Sequence, residues 1–187
     1  MDPSSALNGV TPIGPPRTVE IEDRYLDTAG RAMAGAGFVA RVRTGTGPSR
    51  LTLKSMARRG TGAVHRRLEI EADAAEGDDP SRWPPSPARD RVLEIVRGEP
   101  LLTLASIRQR RLQRDVALGA SVIELSLDDV TVGGDTWTEL ECELRSGLEA
   151  DLAALGASLL RRDDLAPATT SKLDRALRAS GVAFTKR

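Results

Sequence analysis

The feature that most constrains this chain is a series of short segments in which charged residues of one sign recur at alternate positions. Residues two apart in a β-strand point to the same side, so Arg41 and Arg43 would share one face of a strand, as would Arg108 and Arg110. Carboxylates form three further groups: Glu69 with Glu71, Glu124 with Asp128, and Glu139 with Glu141 and Glu143. The pattern predicts antiparallel strands whose polar faces are segregated by the sign of their charge.

Composition narrows the class of protein. The chain has 187 residues, enough for one domain with a sizeable core, and 40 % of them are hydrophobic, which excludes full disorder. Its 27 basic and 27 acidic residues balance, which argues against nucleic acid or an anionic membrane as partner. The single cysteine, Cys142, excludes an internal disulfide. Because no apolar run is long enough for a membrane span or a signal peptide, we expect a cytoplasmic protein.

The chain divides into two parts by pattern. Residues 1–17, rich in proline, serine and glycine, are predicted to be an irregular lead-in, and residues 18–187 to form a single domain. A short helix is predicted to begin near Pro87, and amphipathic helical patterns follow from Leu148 and from Ser171. Strand patterns are predicted at 18–28, 38–43, 51–54, 65–71, 104–114, 122–130 and 136–144.

Two architectures are compatible with these strands. In an ordinary sandwich the charged faces would simply be solvated outer surfaces, as antiparallel sheets commonly have. The segregation of the faces by charge, and the need of the amphipathic helices for an apolar surface, favour the other one. We therefore predict an α+β fold, an antiparallel β-barrel or tunnel of about seven to eight strands with helices packed outside and charged faces inside.

A lumen lined in this way suits phosphate chains. Guanidinium groups bind phosphate oxygens in a planar, bidentate manner and stay charged. Carboxylates beside them would repel a polyphosphate unless a hard divalent cation such as Mg²⁺ or Mn²⁺ lay between them. Such a metal also polarises a phosphoryl oxygen and activates water. The residues thus predict a metal-assisted phosphohydrolase.

The ordered set of motifs resembles the CYTH family, the triphosphate tunnel metalloenzymes. The similarity extends over most of the chain, from about Thr18 to Leu177. Its pieces are Tyr25-Leu26-Asp27-Thr28, Gly37 through Arg43, Leu51 to Lys54, Arg67-x-Glu69-x-Glu71, Arg108-x-Arg110, Glu124 to Asp128, Glu139 to Glu143, and Ser171-Lys172. Each piece is weak alone, and the order makes the set specific.

This resemblance implies an eight-stranded tunnel acting on inorganic triphosphate or a small triphosphate ester with a divalent metal, Mg²⁺ or Mn²⁺. By similarity, Lys172 is a candidate phosphate-binding or water-positioning residue. The implied metal ligands are Glu69, Glu71, Glu141 and Glu143. The implied substrate-binding residues are Arg41, Arg43, Lys54, Arg67, Arg108 and Arg110.

The sequence departs from the family at its start. The family opens with a Glu-x-Glu-x-Lys strand well ahead of the Tyr-x-Asp-Thr segment, whereas here Glu20-x-Glu22 runs directly into Tyr25. We interpret Glu20 and Glu22 as part of the second family strand and expect the first one to be missing. An open sheet edge would result, and such edges pair with other chains. A homodimer is therefore predicted.

Two alternatives to an enzyme remain. A non-catalytic module could bind polyphosphate or a nucleotide with the same arginines, and an interaction domain could retain only the shape of the tunnel. Triphosphate binding without turnover would indicate the first, and neither binding nor turnover the second. His65 could act as an acid or base, although a surface histidine is the simpler interpretation. Cys142 is predicted to be a small hydrophobe on the apolar face of its strand.

Overall fold

The fold is one seven-stranded antiparallel sheet with helices on both of its faces. The structure is a computed structural model that describes residue 7 and residues 9–45, 47–57, 68–75 and 77–179. The sheet order is β4-β3-β2-β1-β5-β6-β7. The strands are β1 (Thr11–Asp27), β2 (Phe38–Thr44), β3 (Arg50–Ser55), β4 (Glu69–Asp73), β5 (Leu102–Leu118), β6 (Ser121–Val132) and β7 (Asp135–Ser146). The helices are α1 (Ala32–Gly35), α2 (Pro87–Val96), α3 (Glu149–Leu159) and α4 (Lys172–Ala179), with a 3₁₀ turn at Pro80–Arg82.

The sheet is built from consecutive hairpins around the long strands β1 and β5. β1 pairs with β2 over Glu22–Leu26 and with β5 along most of its length. The edge strands β4 and β7 form no hydrogen bonds with each other among the described residues, so the sheet is an open, tunnel-like barrel. The prediction of an antiparallel barrel of about seven to eight strands is confirmed in this form.

The predicted irregular lead-in over residues 1–17 is wrong from Thr11 onward, because β1 begins there. Prolines and Gly14 gave the segment its irregular appearance. The register of β1 against β5 shifts between Ile13 and Arg17, which absorbs Gly14, Pro15 and Pro16, and Gly14 adopts a φ of 65°. Proline is tolerated because this half of β1 has no second strand beside it within the described residues.

The outer face of the sheet is apolar under two helices. A cluster including Val42, Leu51 and Leu53 packs against Val92 and Val96 of α2. At the other end, Ile123 and Leu125 of β6 pack against Leu155 of α3, with Cys142 beside them. Cys142 therefore packs as a small apolar residue, and burial raises the pKa of its thiol to about 11.

Helix α4 packs on the inner face, which corrects the prediction that all helices lie outside. Leu173 and Leu177 of α4 contact Tyr25, Ile107 and Val130. These three residues share the inward side of their strands with the charged residues described below, as the pairing of Asp23 with Ile107 and of Gln109 with Val130 shows. The sequence pattern established that α4 is amphipathic, but an apolar patch inside the lumen serves its buried side as well as an outer one does.

Candidate functional site

The inner face carries a buried network around a single carboxylate, which we call the Asp23 network: Asp23, Arg41, Arg43 and Gln109. Arg43 Nε and Nη2 donate to Asp23 Oδ1 and Oδ2 at 2.6 and 2.8 Å. Gln109 Nε2 donates to Oδ2 at 2.8 Å, and Arg41 Nη1 lies 3.5 Å from the same oxygen. Asp23 is only 1 % exposed. Burial alone would raise the pKa of Asp23, but the Arg43 hydrogen bonds, the charges of both arginines and Gln109 lower it.

Strand register explains why these residues meet. Asp23 lies directly opposite Arg43, and Tyr25 lies opposite Arg41. The network continues across β3, since Arg41 Nη2 donates to Thr52 Oγ1 at 3.1 Å and Thr52 Oγ1 donates to Glu71 at 3.2 Å. Burial, followed by the charge of Asp23, raises the pKa of Tyr25 to about 12. The Tyr25 hydroxyl is therefore uncharged at neutral pH, and its ring lines the lumen.

A second network lies on β5, β6 and β7, and we call it the Asp128 network: Arg111, Asp128, Glu141 and Lys172. Arg111 Nε and Nη2 donate to the two oxygens of Asp128 at 2.6 Å each, and Nη2 also donates to Glu141 at 2.8 Å. Lys172 of α4 donates to Asp128 and, at 2.9 Å, to Glu141. Two carboxylates and two cations are thus held within hydrogen-bond distance.

The positive charges that act on Glu141 come from both halves of the sheet and from α4. Burial alone would raise the pKa of Glu141, but Lys172 and Arg111 lower it to about 2, and Lys54 contributes in the same direction. Lys54 belongs to β3, which is separated from β7 by four strands in the sheet order, so its charge acts across the lumen. The Glu141 side chain is 46 % exposed, and its exposed part faces this charged lumen.

The remaining predicted residues on β3 and β4 lie on the same inner face. Lys54 Nζ donates to Glu69 at 2.9 Å. Glu71 accepts from Thr52 and lies 3.8 Å from Arg50. Glu69 and Glu71 are on the edge strand β4, whereas Glu141 and Glu143 are on the opposite edge strand β7. The predicted metal ligands therefore fall into two separate pairs.

The predicted position of Arg108 and Arg110 in the lumen is wrong. Both are exposed and alternate with the buried inner residues Gln109 and Arg111. Arg110 lies 3.6 Å from Glu20 on the outward side. The alternation misled because the centre of β5 carries charge on both faces: its outer side is exposed, with no helix of the described residues over it, so that side is not apolar. The register of Arg111 opposite Asp128 decides which arginine points inward.

Three other predicted residues are less central or cannot be placed. Glu143 accepts from Arg145 at 2.9 Å and is 65 % exposed, away from the Asp128 network. Arg67 and His65 lie outside the described residues. Lys172, predicted by similarity alone, lies within the Asp128 network.

Sequence reasoning missed three inward residues. Asp23, Gln109 and Arg111 were not candidates, and Asp128 was noted as sharing a face with Glu124 and as part of one family motif, without a role in the site. The signal that could have found Asp23 was its place on the same strand face as Ile21 and Tyr25, which makes it an acid among residues expected to be buried. A buried acid of this kind needs cationic partners. Arg41 and Arg43, which share one face of the next predicted strand, were available for that role.

The sequence matches the CYTH domain over residues 11–177. The chain belongs to the CYTH family. A candidate adenylyl cyclase from Hippeastrum, described as having a dominant triphosphatase activity, superposes with a TM-score of 0.69 at 19 % identity, covering 90 % of this chain and 85 % of that one. A candidate adenylate cyclase from Bacillus halodurans gives a TM-score of 0.62 at 17 % identity, covering 84 % and 82 %. These identities show a shared fold. No match was found among curated proteins.

CYTH proteins generally depend on a divalent metal, and the inner face offers one pair of ligands for it. Asp128 and Glu141 share both Arg111 and Lys172 as partners, so their oxygens lie close together. One or two carboxylates with phosphate oxygens and waters form the usual Mg²⁺ site. Within the described part of the chain, no group of three or more acids, histidines or cysteines is arranged to hold a metal by itself. The donor set therefore fits a metal that arrives with phosphate.

The helices of this CYTH domain are short. Within the residues that the structure describes, none is long and apolar enough to cross a membrane.

Proposed function

We propose that this CYTH protein binds triphosphate, as the inorganic anion or as a small ester, in the lumen and hydrolyses it with a divalent metal. The observation that carries the proposal is the convergence of Arg41, Arg43, Lys54, Arg111 and Lys172 on one inner face. Five cations on a shared concave surface match a polyanion, and arginine provides bidentate binding to phosphate oxygens. The triphosphatase activity described for the Hippeastrum relative supports the same substrate class.

The proposed roles follow from position. Arg41 and Arg43 of the Asp23 network, with Lys54, bind and orient the phosphates. Asp128 and Glu141 would hold the metal, which would neutralise phosphate charge and activate the attacking water. Water adds to the terminal phosphorus and gives up a proton to solvent, the bridging P–O bond breaks, and the electron pair leaves with the diphosphate. Lys172 and Arg111, which donate to these carboxylates, lie where they would also donate to the anion.

The test is release of phosphate from inorganic triphosphate in the presence of Mg²⁺ or Mn²⁺. The proposal expects the wild type to be active and Glu141→Gln to be inactive while its circular dichroism stays native. Glu20→Gln is the matched control, because Glu20 lies on the outward face opposite Arg110. Undiminished turnover in Glu141→Gln would remove the metal-binding role from Glu141.

A non-catalytic binding module is the second candidate, and one observation favours it. In the described chain, Asp23, Glu69, Asp128 and Glu141 of the lumen each already pair with an arginine or lysine. A metal would have to displace these partners at Asp128 and Glu141. Calorimetry with inorganic triphosphate separates the candidates, since binding without turnover at every metal concentration would indicate the module.

An open depression further along β7 from Glu141 is where the organic part of an ester would lie. It has a volume of about 470 Å³ and is lined mainly by Asp135, Thr136, Trp137, Thr170, Arg175 and Arg178. Trp137 precedes Glu141 by four residues on the inner face of β7, roughly 13 Å along the strand. An organic group attached to the phosphates would reach this space. A higher kcat/KM for a nucleoside triphosphate than for inorganic triphosphate would support the ester, and the reverse order would contradict it.

The predicted homodimer remains a prediction. The edges β4 and β7 are the ends of the sheet in the described chain, and unpaired edges are where a second chain would add. Light scattering at several protein concentrations gives the oligomeric state directly.

A further inference from the structure

One of the two most buried carboxylates of the lumen, Asp23, has no role in the proposed reaction. Asp23 is 1 % exposed and receives three hydrogen bonds, two from Arg43 and one from Gln109, with Arg41 nearby. A buried carboxylate without partners would be costly, and one with excellent partners is at best close to neutral for stability. The value of such a residue therefore lies in its effect on its partners.

The bonding pattern determines the orientation of Arg43. Asp23 occupies the Nε and Nη2 edge of the guanidinium. Because the guanidinium is planar and rigid, its other edge, formed by Nη1 and Nη2, must point away from the carboxylate. The Arg43 side chain is 24 % exposed, and its position on the inward side of β2 directs that exposed part to the lumen. One edge is thus anchored and the other is presented.

Arg41 is held from two sides in a similar way. Its Nη2 donates to Thr52 at 3.1 Å and its Nη1 faces Asp23 at 3.5 Å. Within the described part of the chain, its Nε is buried and has no hydrogen-bond partner, and the same holds for Oε1 of Gln109. A flexible arginine would normally lose considerable side-chain entropy on binding an anion. Anchoring both arginines in the free protein removes much of that cost.

We propose that Asp23 is a positioning residue for phosphate binding, which orients Arg43 and Arg41 through its buried carboxylate and itself contacts no phosphate. The proposal rests on the proposed function. It makes a prediction opposite in sign to simple electrostatics. Removing a negative charge beside two phosphate-binding arginines should strengthen anion binding by Coulomb's law, whereas loss of an orienting residue should weaken it.

The main experiment measures the affinity for inorganic triphosphate by calorimetry, in EDTA and then in Mg²⁺, for the wild type and Asp23→Asn. The asparagine keeps the size of the side chain and replaces one acceptor oxygen by a donor facing Arg43. We expect binding to weaken about tenfold, the effect of losing a charge-assisted hydrogen bond. Equal or tighter binding in Asp23→Asn would overturn the positioning role. Asp129→Asn, exposed on the outward side of β6, is the control.

A double-mutant cycle asks whether the effect passes through Arg43. In the Arg43→Gln background, Asp23→Asn should weaken binding by clearly less than the roughly tenfold expected in the wild type, because the arginine that Asp23 anchors with two hydrogen bonds is gone and Arg41 is left for it to orient. The double variant removes both members of the Asp23–Arg43 pair, so that neither is left buried without the other. Fully additive losses would show that Asp23 acts independently of Arg43 and would contradict the proposal.

Two further readouts add a second variant and a measurement that needs no triphosphate. Gln109→Leu removes the 2.8 Å hydrogen bond to Asp23 while keeping the charge, and we expect affinity to fall about threefold. Unchanged affinity in that variant would count against the network. In ¹H–¹⁵N spectra, the Arg43 Nε–H signal, assigned by its absence in Arg43→Gln, should exchange slowly in the wild type and rapidly in Asp23→Asn.

The outcomes separate the two proposals. If the wild type does not bind inorganic triphosphate, the proposed function fails whatever the spectra show. If the wild type binds but Asp23→Asn keeps both its affinity and the slow exchange of Arg43, only the positioning role fails.

Discussion

Arg110 and Arg111 are neighbours on β5 and lie in opposite environments. Arg110 is exposed and lies 3.6 Å from Glu20, whose side chain is 74 % exposed. Arg111 is 10 % exposed and donates to the fully buried Asp128 at 2.6 Å. The outward pair is an ordinary surface ion pair, and the inward pair is part of a four-residue network. A single residue of register thus separates a solvated charge from a component of the candidate site.

In the Asp23 and Asp128 networks each carboxylate is held by several partners, whereas the outward Arg110 lies 3.6 Å from Glu20. Burial and hydrogen bonding to Asp128 act in opposite directions on Arg111, and the hydrogen bond, with the charges of Asp128 and Glu141, raises its pKa. Removing one member of such a network leaves others buried without full compensation. Comparing variants of the two faces therefore tests the assignment of the lumen.

The largest expected effect is on stability. Arg111→Leu should lower the free energy of unfolding by about 3 kcal/mol, because Asp128 stays buried with only Lys172 to compensate its charge. Arg110→Leu should change it by about 0.5 kcal/mol or less. Urea unfolding of both variants makes the comparison. Similar values for the two would mean that the inward and outward faces do not differ as described.

The next effect is on phosphate release from inorganic triphosphate. Asp128→Asn should reduce kcat/KM roughly 100-fold, as expected for loss of a group that holds or orients a metal. Asp129→Asn, one residue further along β6 and exposed, should stay within about twofold of the wild type. Assays at matched amounts of folded protein are needed, since Asp128 is fully buried. A strong effect of Asp129→Asn would indicate that the outward face also takes part.

Much of the fold could be predicted because alternation is a local property. Hydrophobic and charged residues alternate in most of the strands, although not at the centre of β5 or the start of β1, and the apolar stripes of the helices are regular. The errors arose where a third element decides the outcome. Thr11–Ile13 joins β1 only because β5 is long enough to pair with it, and α4 lies inside because apolar residues such as Ile107 and Val130 interrupt the charged face.

The site was harder to predict than the fold because β5 has arginines on both of its faces, Arg108 and Arg110 on one and Arg111 on the other. Alternation places Arg108 and Arg110 together but does not say on which side, and the uncovered outer face removes the usual apolar marker. Pairing across strands settles the question, since Arg111 lies opposite Asp128 and Asp23 lies opposite Arg43. Strand register depends on the whole sheet and cannot be derived from the sequence of one strand.

A pH titration sharpens the comparison at the rim of the lumen. Glu124 is 7 % exposed and accepts from Arg145 at 2.6 Å. Burial would raise the pKa of Glu124, but Arg145, Ser126 and Gln113 lower it from 4.5. A carboxyl whose pKa is lower in the folded state stabilises the fold above its unfolded pKa, and this contribution is lost as the pH falls. The stability difference between wild type and Glu124→Gln should thus shrink from pH 7 to pH 3. A constant difference would contradict the lowered pKa.

The smallest expected effect concerns the attachment of α4 to the inner face. The guanidinium of Arg175 lies 4.1 Å from the centroid of the Trp137 ring, and a contact of this kind contributes about 0.5–1 kcal/mol when partly exposed. Arg175→Gln should lower the free energy of unfolding by that amount, while Arg108→Gln, on the exposed outer side, should leave it nearly unchanged. Urea unfolding at matched salt resolves the two. No loss in Arg175→Gln would mean that Leu173, Ala176 and Leu177 hold α4 in the lumen through apolar packing alone, and that the Arg175 side chain is then available to the cavity beside it.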